Sequence, residues 1–268
     1  MTDLRGQKQT WEYLAETDPL WAICTDGKKR GGKWDAAEFF ATGEAEISKV
    51  LAHVAAIGLK PLWEGRALDF GCGVGRLTQA LCARFAGCVG IDISPTMIRL
   101  AQQHNRHGER CVYALNDVED LGKYSDGEFA FIYSSIVLQH MAPKYMRSYL
   151  REFARVLAPG GILVCQIPDY EHSFKNLVRL RQRLRLRSRL KRLIGIKLPE
   201  PAPEIDTHQM EMHWLDERQV RKALRGGGCR VVDVQLTNSI SPDFNGQLIY
   251  LQGTAKPGSV SKQYCAVK

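Results

Sequence analysis

The chain has 268 residues, of which 44% are hydrophobic and 25% charged, and its formal net charge is +8. This length suits one α/β domain with additions, because single domains usually hold roughly 100 to 200 residues. No apolar stretch approaches the roughly 20 residues that a membrane-spanning helix needs, and the polar first residues do not resemble a secretory signal. We therefore expect no membrane span and a cytoplasmic location.

The positive charge is concentrated in one segment. Of the 37 basic residues, ten lie within residues 175–197, which contain no acidic residue, so the rest of the chain has 27 basic and 29 acidic residues, a net of −2. The leucines of this segment follow a helical stripe, which predicts a basic helix. Such a helix is either a solvated lid or a surface for an acidic acceptor, anionic lipid or RNA. The near-neutral remainder of the chain disfavours nucleic acid.

The eight cysteines include no C-x-x-C pair, and several lie within apolar runs. Reduced cysteines in such positions act as small hydrophobic residues. Iron–sulfur enzymes, in contrast, need closely spaced thiolates. The sequence therefore predicts no disulfide framework, no iron–sulfur cluster and no metal site.

Elements are predicted in chain order from their periodicity. Residues 1–60 are interpreted as a helical cap, because residues 46–54 repeat apolar positions at helical spacing. From residue 66 onwards strands alternate with helices, which predicts a Rossmann-like, mostly parallel seven-stranded sheet with helices on both faces. The first five strands are expected at 67–70, 88–93, 110–115, 129–134 and 162–167, and the helices between them at 76–85, 95–104 and 144–157.

The pattern changes after the fifth strand. Residues 169–214, which include the basic segment, are interpreted as an insertion into a main domain that spans 61–254. A helix is then predicted at 216–224, followed by strands at 230–237 and 247–254. The polar residues 255–268 are predicted to form a flexible tail.

A glycine-rich loop follows the first predicted strand. Residues 69–76 read Asp-Phe-Gly-Cys-Gly-Val-Gly-Arg. Glycines let the backbone approach a ligand closely, and the start of the next helix adds unpaired N–H groups. Dinucleotide enzymes prefer Gly-x-Gly-x-x-Gly, whereas this spacing is Gly-x-Gly-x-Gly with an acid before it, which suits a cationic ligand. A glycine-rich turn without a ligand is the alternative.

Asp92 closes the second predicted strand, 17 residues after Gly75. A carboxylate in this place can accept hydrogen bonds from both ribose hydroxyls of a nucleoside. Ser94 as a helix cap, followed by Pro95, accounts for the turn but does not require the acid. The glycine loop and Asp92 together therefore predict a nucleoside ligand that carries positive charge.

These motifs resemble the class I S-adenosylmethionine-dependent methyltransferases over about residues 65–167, with weaker support to 254. Three further elements match in order: Asn116-Asp117-Val118, the fourth strand with its exit at 129–140, and residues 155–161. The resemblance implies S-adenosylmethionine as cofactor and S-adenosylhomocysteine as its product. It places the methionine part at the glycine loop, the ribose at Asp92 and the adenine amine at the acid after the third strand.

The cofactor-binding residues that the resemblance implies follow these motifs. They are Asp69, Phe70, Gly71, Cys72, Gly73, Gly75, Arg76, Asp92, Ile93, Met97, Asn116, Asp117, Val118, Ser134, Ser135 and Gln139. A cap residue, Tyr13 or Trp34, is expected to close over the cofactor.

The acceptor is predicted from an absence. Family members that act on amide or base nitrogens carry Asn/Asp-Pro-Pro-Tyr after the fourth strand, where this chain has Ser-Ser-Ile-Val at 134–137. We therefore expect in-line methyl transfer to an oxygen of a small-molecule, glycan or peptide acceptor. The alternatives are an RNA methyltransferase guided by the basic segment, or a cofactor-binding module without transfer activity.

A hydroxyl acceptor needs a base, and His140 is the first candidate because it follows the fourth strand and titrates near neutrality. Packing against the next helix is the alternative role. His208 and His213 are candidates to line the acceptor pocket from the insertion, although either is also explained as a structural histidine. Asp169 and Tyr170, after the fifth strand, are further candidates.

Overall fold

The computed structural model describes residues 3–168, 212–239, 244–251 and 260–268. Seven strands in this part of the chain form one sheet. They are β1 Arg66–Phe70, β2 Gly87–Asp92, β3 Cys111–Leu115, β4 Phe129–Ser134, β5 Leu157–Pro168, β6 Arg230–Thr237 and β7 Ser261–Val267. Their order is β3-β2-β1-β4-β5-β7-β6, and β7 is antiparallel to β5 and β6, whereas the pairs from β3 to β5 are parallel. The predicted Rossmann-like sheet is confirmed.

Helices cover the sheet on both faces and form the cap before it. In chain order they are α1 Leu4–Thr17, α2 Pro19–Ile23, α3 Ala36–Ala56, α4 Arg76–Cys82, α5 Pro95–His104, α6 Pro143–Val156 and α7 Glu217–Gly226. Their starts follow local chemistry, because the side chains of Asp3, Asp35, Ser94 and Asp216 each accept a hydrogen bond from a first-turn N–H group. Cap helices α1 to α3 lie within the predicted range 1–60.

The central strands are buried on both faces. All six residues of β4 are buried, as expected for a parallel strand with helices on either side, which reads as a continuous apolar run rather than an alternating one. The strand order reverses between β1 and β4. Ligands of open α/β sheets bind beyond the carboxyl ends of the strands at such a reversal, so the fold directs attention to the loops after these two strands.

The predicted flexible tail is wrong over residues 261–267. These residues form β7, which pairs with β5 on one side and β6 on the other, and Tyr264 and Cys265 are buried. The polar Lys262 and Gln263 break the alternation by which a strand is recognised, while pairing along both edges satisfies the backbone. The strand predicted at 247–254 is also wrong within residues 247–251, where Tyr250 makes only an isolated bridge to Thr237.

Three sequence predictions concern residues that the structure does not describe. They are the basic helix, His208, and the pair Asp169 and Tyr170. Among the helices that are described, none is long and apolar enough to cross a membrane.

Candidate functional site

The loop after β1 requires its glycines. Gly71, Gly73 and Gly75 have φ angles of +77°, +52° and +85°, in the left-handed region that a Cβ disfavours. A Cβ on Gly71 would lie 2.3 Å from Cγ2 of Val137, and one on Gly75 would lie 2.4 Å from the hydroxyl of Tyr113. Backbone conformation and close packing therefore both select glycine, as the sequence motif predicted.

Asp92 ties this loop to the start of α5. Its carboxylate accepts hydrogen bonds from the N–H groups of Gly73 and Ser94, each at 2.9 Å. Burial raises the pKa of Asp92, while these N–H groups oppose the rise. A carboxylate has about four acceptor positions, so Asp92 retains capacity for ligand hydroxyls at the edge of the sheet.

Asp69 has a supporting place behind the loop. One carboxylate oxygen accepts a hydrogen bond of 2.6 Å from the Thr78 hydroxyl, and the other has no hydrogen-bond partner. Burial raises the pKa of Asp69 to about 7, although the Thr78 hydrogen bond and Arg76 oppose this rise. Asp69 does not line the cleft in front of the loop. Because Asp69 belongs to β1 and Thr78 to α4, their hydrogen bond holds this helix against the strand.

A cleft of about 970 Å³, its solvent-open mouth included, lies at the carboxyl ends of β1, β2 and β4. Eleven sequence-predicted site residues line it: Phe70, Gly71, Cys72, Gly73, Arg76, Asp92, Ile93, Met97, Asn116, Ser135 and His140. Seven others that the structure describes do not line it: Asp69, Gly75, Asp117, Val118, Ser134, Gln139 and His213.

Asn116, and not the neighbouring Asp117, lines the cleft. Oδ1 of Asn116 is buried without a hydrogen-bond partner, and its amide nitrogen lies 3.2 Å from the Tyr149 hydroxyl. Asp117 instead forms a 2.8 Å ion pair with Lys8 of α1, and Val118 is 51% exposed. The unpartnered Asn116 oxygen is therefore the acceptor at the cleft that fits a ligand amine.

Arg76 is held from the cap. Its guanidinium forms a 2.8 Å ion pair with Glu46 of α3, and both side chains are buried. Tyr133 of β4 donates a 2.8 Å hydrogen bond to the other Glu46 oxygen. Glu46 therefore joins the cap to the sheet beneath the cleft.

Helix α1 covers the cleft, but through residues other than Tyr13, which the sequence named for this role. The amide of Gln7 donates a 2.6 Å hydrogen bond to the His140 carbonyl oxygen, and Trp11 packs edge-to-face on the His140 ring. Glu12 accepts hydrogen bonds from the hydroxyls of Ser94 and Thr96, at 2.5 and 2.6 Å. The helical spacing of residues 4, 7 and 11 was the available signal.

The remaining cap candidates lie elsewhere. Trp34 donates to the Cys24 carbonyl oxygen and packs on Phe39, while Tyr13 is 40% exposed; neither lines the cleft. Cleft residues absent from the predicted set are Leu4, Gln7, Trp11, Ala22, Ile23, Leu77, Ile91, Ile136, Val137, Met141 and Tyr149.

His140 lies where the sequence placed it. It ends the 3-10 turn Leu138–His140 after β4, and its side chain borders the cleft. Its Nε2 atom is 3.2 Å from the amide nitrogen of Gln139. The backbone N–H of His213 donates to the Gln139 carbonyl oxygen at 2.7 Å, which brings the end of the insertion beside this turn.

This strand order, with its antiparallel β7, its glycine loop and its acid at the end of β2, defines the Rossmann-like class I methyltransferase fold. The chain matches the family described as "Methyltransferase domain" over residues 68–165. These residues therefore belong to a methyltransferase domain, and the fold is that of the class I methyltransferases.

Two curated relatives are similar to about half of the chain. A trans-aconitate 2-methyltransferase of Methylobacterium nodulans is 32% identical over 138 residues, which are 51% of this chain and 50% of the relative. A ubiquinone biosynthesis O-methyltransferase of Xanthomonas campestris is 30% identical over 135 residues, 48% and 53% of the two chains. The chain thus matches about half the length of these relatives.

Solved structures show the same fold at lower identity. Magnesium protoporphyrin IX methyltransferase from Synechocystis, crystallised with bound S-adenosylhomocysteine, has a TM-score of 0.60 at 18% identity, covering 99% of this chain and 100% of that one. A methyltransferase from Anabaena variabilis also has a TM-score of 0.60, at 14% identity, covering 100% and 95%.

Proposed function

We propose that the protein binds S-adenosylmethionine in this cleft and transfers its methyl group to an oxygen of a small-molecule, glycan or peptide acceptor. One observation carries the proposal: the same cleft is lined by the glycine loop and Asp92 at one side and by Trp11, Ile136 and His140 at the other. Cofactor and acceptor would therefore share one cavity, as in-line transfer requires.

The residues of the cleft fit the cofactor. Asp92 has the acceptor capacity for ribose hydroxyls, and Gly71 and Gly73, which line the cleft, would present the loop backbone to the methionine part. The unpartnered oxygen of Asn116 would accept from the adenine amine. When bound, S-adenosylmethionine supplies a methyl group on a positively charged sulfur atom.

The chain's own contribution is alignment and exclusion of water. Apolar side chains of Phe70, Ile136 and Met141 line the cleft, and Leu4 and Trp11 of α1 lie across it. Such walls keep water from competing with the acceptor and hold the reacting atoms in line. His140 lies at the acceptor side, where a ring nitrogen would contact the acceptor oxygen.

Transfer to oxygen has two supports. The Ser-Ser-Ile-Val sequence after β4 lacks the residues by which nitrogen-methylating family members hold their acceptors. The two curated relatives are named for trans-aconitate and for ubiquinone biosynthesis, and the second is named an O-methyltransferase. Both names point to small-molecule acceptors.

Calorimetry with S-adenosylmethionine and S-adenosylhomocysteine tests the cofactor site. Asp92→Asn is expected to weaken binding roughly 10- to 100-fold, because hydrogen bonds to a charged group contribute about 1.5–3 kcal/mol. Asp126→Asn is the control, since that exposed carboxylate precedes β4 at the opposite edge of the sheet. Equal affinity of Asp92→Asn and wild type would exclude the proposed site.

Turnover is tested by S-adenosylhomocysteine release with a panel of carboxylic acids, phenols and sugar hydroxyls. Mass spectrometry of the product is expected to show an ester or an ether. A methylated nitrogen in the product would contradict O-methylation. So would a protein that binds the cofactor and other methyltransferases but turns over no acceptor, since that result indicates a cofactor-binding module.

A further inference from the structure

A chain of hydrogen bonds runs from the backbone after β4 to His140. The N–H of Ile136 donates to Oε1 of Gln166 at 2.8 Å, and Nε2 of Gln166 donates to Oε1 of Gln139 at 3.2 Å. The amide nitrogen of Gln139 then lies 3.2 Å from Nε2 of His140. Gln166 and Gln139 are 1% and 3% exposed, so solvent does not compete for these contacts.

The direction of this relay is fixed at its first member. A backbone N–H can only donate, so Gln166 must present its oxygen to Ile136 and its amide nitrogen to Gln139. Gln139 accepts through its oxygen and donates through its nitrogen in turn. His140 Nε2 must therefore accept, which places the proton of the neutral imidazole on Nδ1.

The first member is also conformationally strained. Ile136 has φ +62° and, within the described residues, is the one non-glycine residue with a positive φ. A β-branched side chain is a rare occupant of this region, at a cost of about 1–3 kcal/mol. The strained turn is the one that gives its N–H to Gln166 and borders the cleft.

We infer that Gln166 and Gln139 are positioning residues that hold His140 as the neutral Nδ1–H tautomer. The inference rests on the proposed function and refines it. A base takes a proton on a ring-nitrogen lone pair, but Nε2 already accepts from Gln139 and Nδ1 already carries a proton. His140 then orients its surroundings as an N–H donor, in place of the base that the sequence predicted.

This tautomer bears on the acceptor class. The other side chains of the cleft that carry charge at neutral pH are Arg76, which pairs with Glu46, and Asp92, whose remaining acceptor capacity the cofactor ribose takes in the proposed function. An acceptor oxygen that is already anionic at neutral pH needs no base. The relay therefore selects a carboxylate over a hydroxyl as acceptor.

NMR of the full-length protein labelled with ¹⁵N-histidine tests the tautomer directly, near pH 7.5. The His140 signals are assigned by their loss in His140→Asn. A proton on Nδ1 with an unprotonated Nε2 is expected in wild type. A proton on Nε2, or on both nitrogens, would overturn the inference whatever the acceptor proves to be.

Reversing the relay is the second arm. A glutamate cannot donate, so in Gln166→Glu the amide of Gln139 is expected to turn towards residue 166 and its oxygen towards His140, moving the proton to Nε2. Gln139→Glu should do the same. Gln79→Glu, a buried glutamine of α4 outside the relay, should leave the tautomer unchanged. A folded Gln166→Glu protein with the wild-type tautomer would refute the relay.

Activity provides the third arm. His140→Asn keeps an N–H near the Nδ1 position but has no basic lone pair, so turnover of a carboxylate acceptor should fall about tenfold, as for one weakened hydrogen bond. A fall of roughly 10²- to 10⁴-fold, as for a lost base, would overturn the donor role. Absence of any turnover in wild type would refute the proposed function and leave the NMR result standing.

Discussion

Asp69 lies one residue before the end of β1 and Asp92 ends the neighbouring β2, yet their surroundings give them different roles. Asp92 meets the loop N–H groups at the cleft, whereas Asp69 lies behind the loop with one oxygen bound to Thr78 and one unpartnered. The burial that raises the pKa of Asp69 to about 7 makes its charged form costly in the folded protein.

Asp69 should make stability fall with rising pH. Its pKa is 3.8 in the unfolded chain and about 7 in the folded protein, so between these values only the folded state binds the proton and each rise in pH favours unfolding. Asp69→Asn should remove this slope and gain at most about 4 kcal/mol above pH 7, at about 1.4 kcal/mol per pKa unit. Urea unfolding of both proteins from pH 4 to 8 measures the difference. If the free energies of unfolding of the two proteins changed in parallel with pH, the role given to Asp69 would be contradicted.

Residues with a local signal were predictable, and residues brought in by long-range contacts were not. The glycine loop and Asp92 follow from spacing alone. Tyr149 and Ile136 reach the cleft through the packing of α6 and a strained turn, which no periodicity encodes. Gln166 had a weak signal, since a polar residue in an apolar strand needs a hydrogen-bond partner.

At the scale of elements, the cap belongs to the site. Helix α1 contacts the cleft, the start of α5 and Asp117 through Gln7, Glu12 and Lys8. Burial opposes ionisation of Glu12, but the hydrogen bonds from Ser94 and Thr96 prevail and lower its pKa. The sequence predicted a helical cap, but helical periodicity does not reveal the partner of an apolar face.

Loosening α1 should release the cofactor. In Glu12→Ala the helix loses its hydrogen bonds to Ser94 and Thr96, each worth about 1.5–3 kcal/mol when a charge takes part. S-adenosylhomocysteine should dissociate at least about tenfold faster in stopped-flow experiments. Glu16→Ala, an exposed position on the same helix, controls for helix propensity. Equal dissociation rates in the two variants would refute the covering role.

Helix α3 is anchored by charge as well as by apolar packing. Glu46→Gln should leave the buried Arg76 guanidinium uncompensated and destabilise the fold by about 3–5 kcal/mol. The double variant Glu46→Gln/Arg76→Met buries no charge and should recover part of this loss. Urea unfolding of the three proteins measures both. A Glu46→Gln protein within about 1 kcal/mol of wild type would contradict the anchor.

At the scale of the whole molecule, the sheet followed from the alternation of strands and helices, except for its last strand. Residues 261–267 were missed because Lys262 and Gln263 interrupt the apolar pattern, while contacts with both neighbouring strands stabilise them. The basic segment, the RNA alternative and the cytoplasmic location stay predictions.

Removing residues 260–268 should abolish cooperative unfolding. The deletion leaves the edges of β5 and β6 unpaired and exposes the core beside Tyr264, which is a hazard for aggregation. Circular dichroism during heating and size-exclusion chromatography test this expectation. A soluble protein with a transition near that of wild type would restore the flexible-tail interpretation.

The order of the sheet also bears on how the chain is made. Strand β6 reaches the rest of the sheet through β7, whose residues follow it in the chain. On the ribosome, β1 to β5 can associate as they emerge, but β6 must wait for residues 261–267 to leave the exit tunnel. A nascent chain paused before that point would expose the edges of β5 and β6 that β7 later pairs with. A chaperone is expected to bind there.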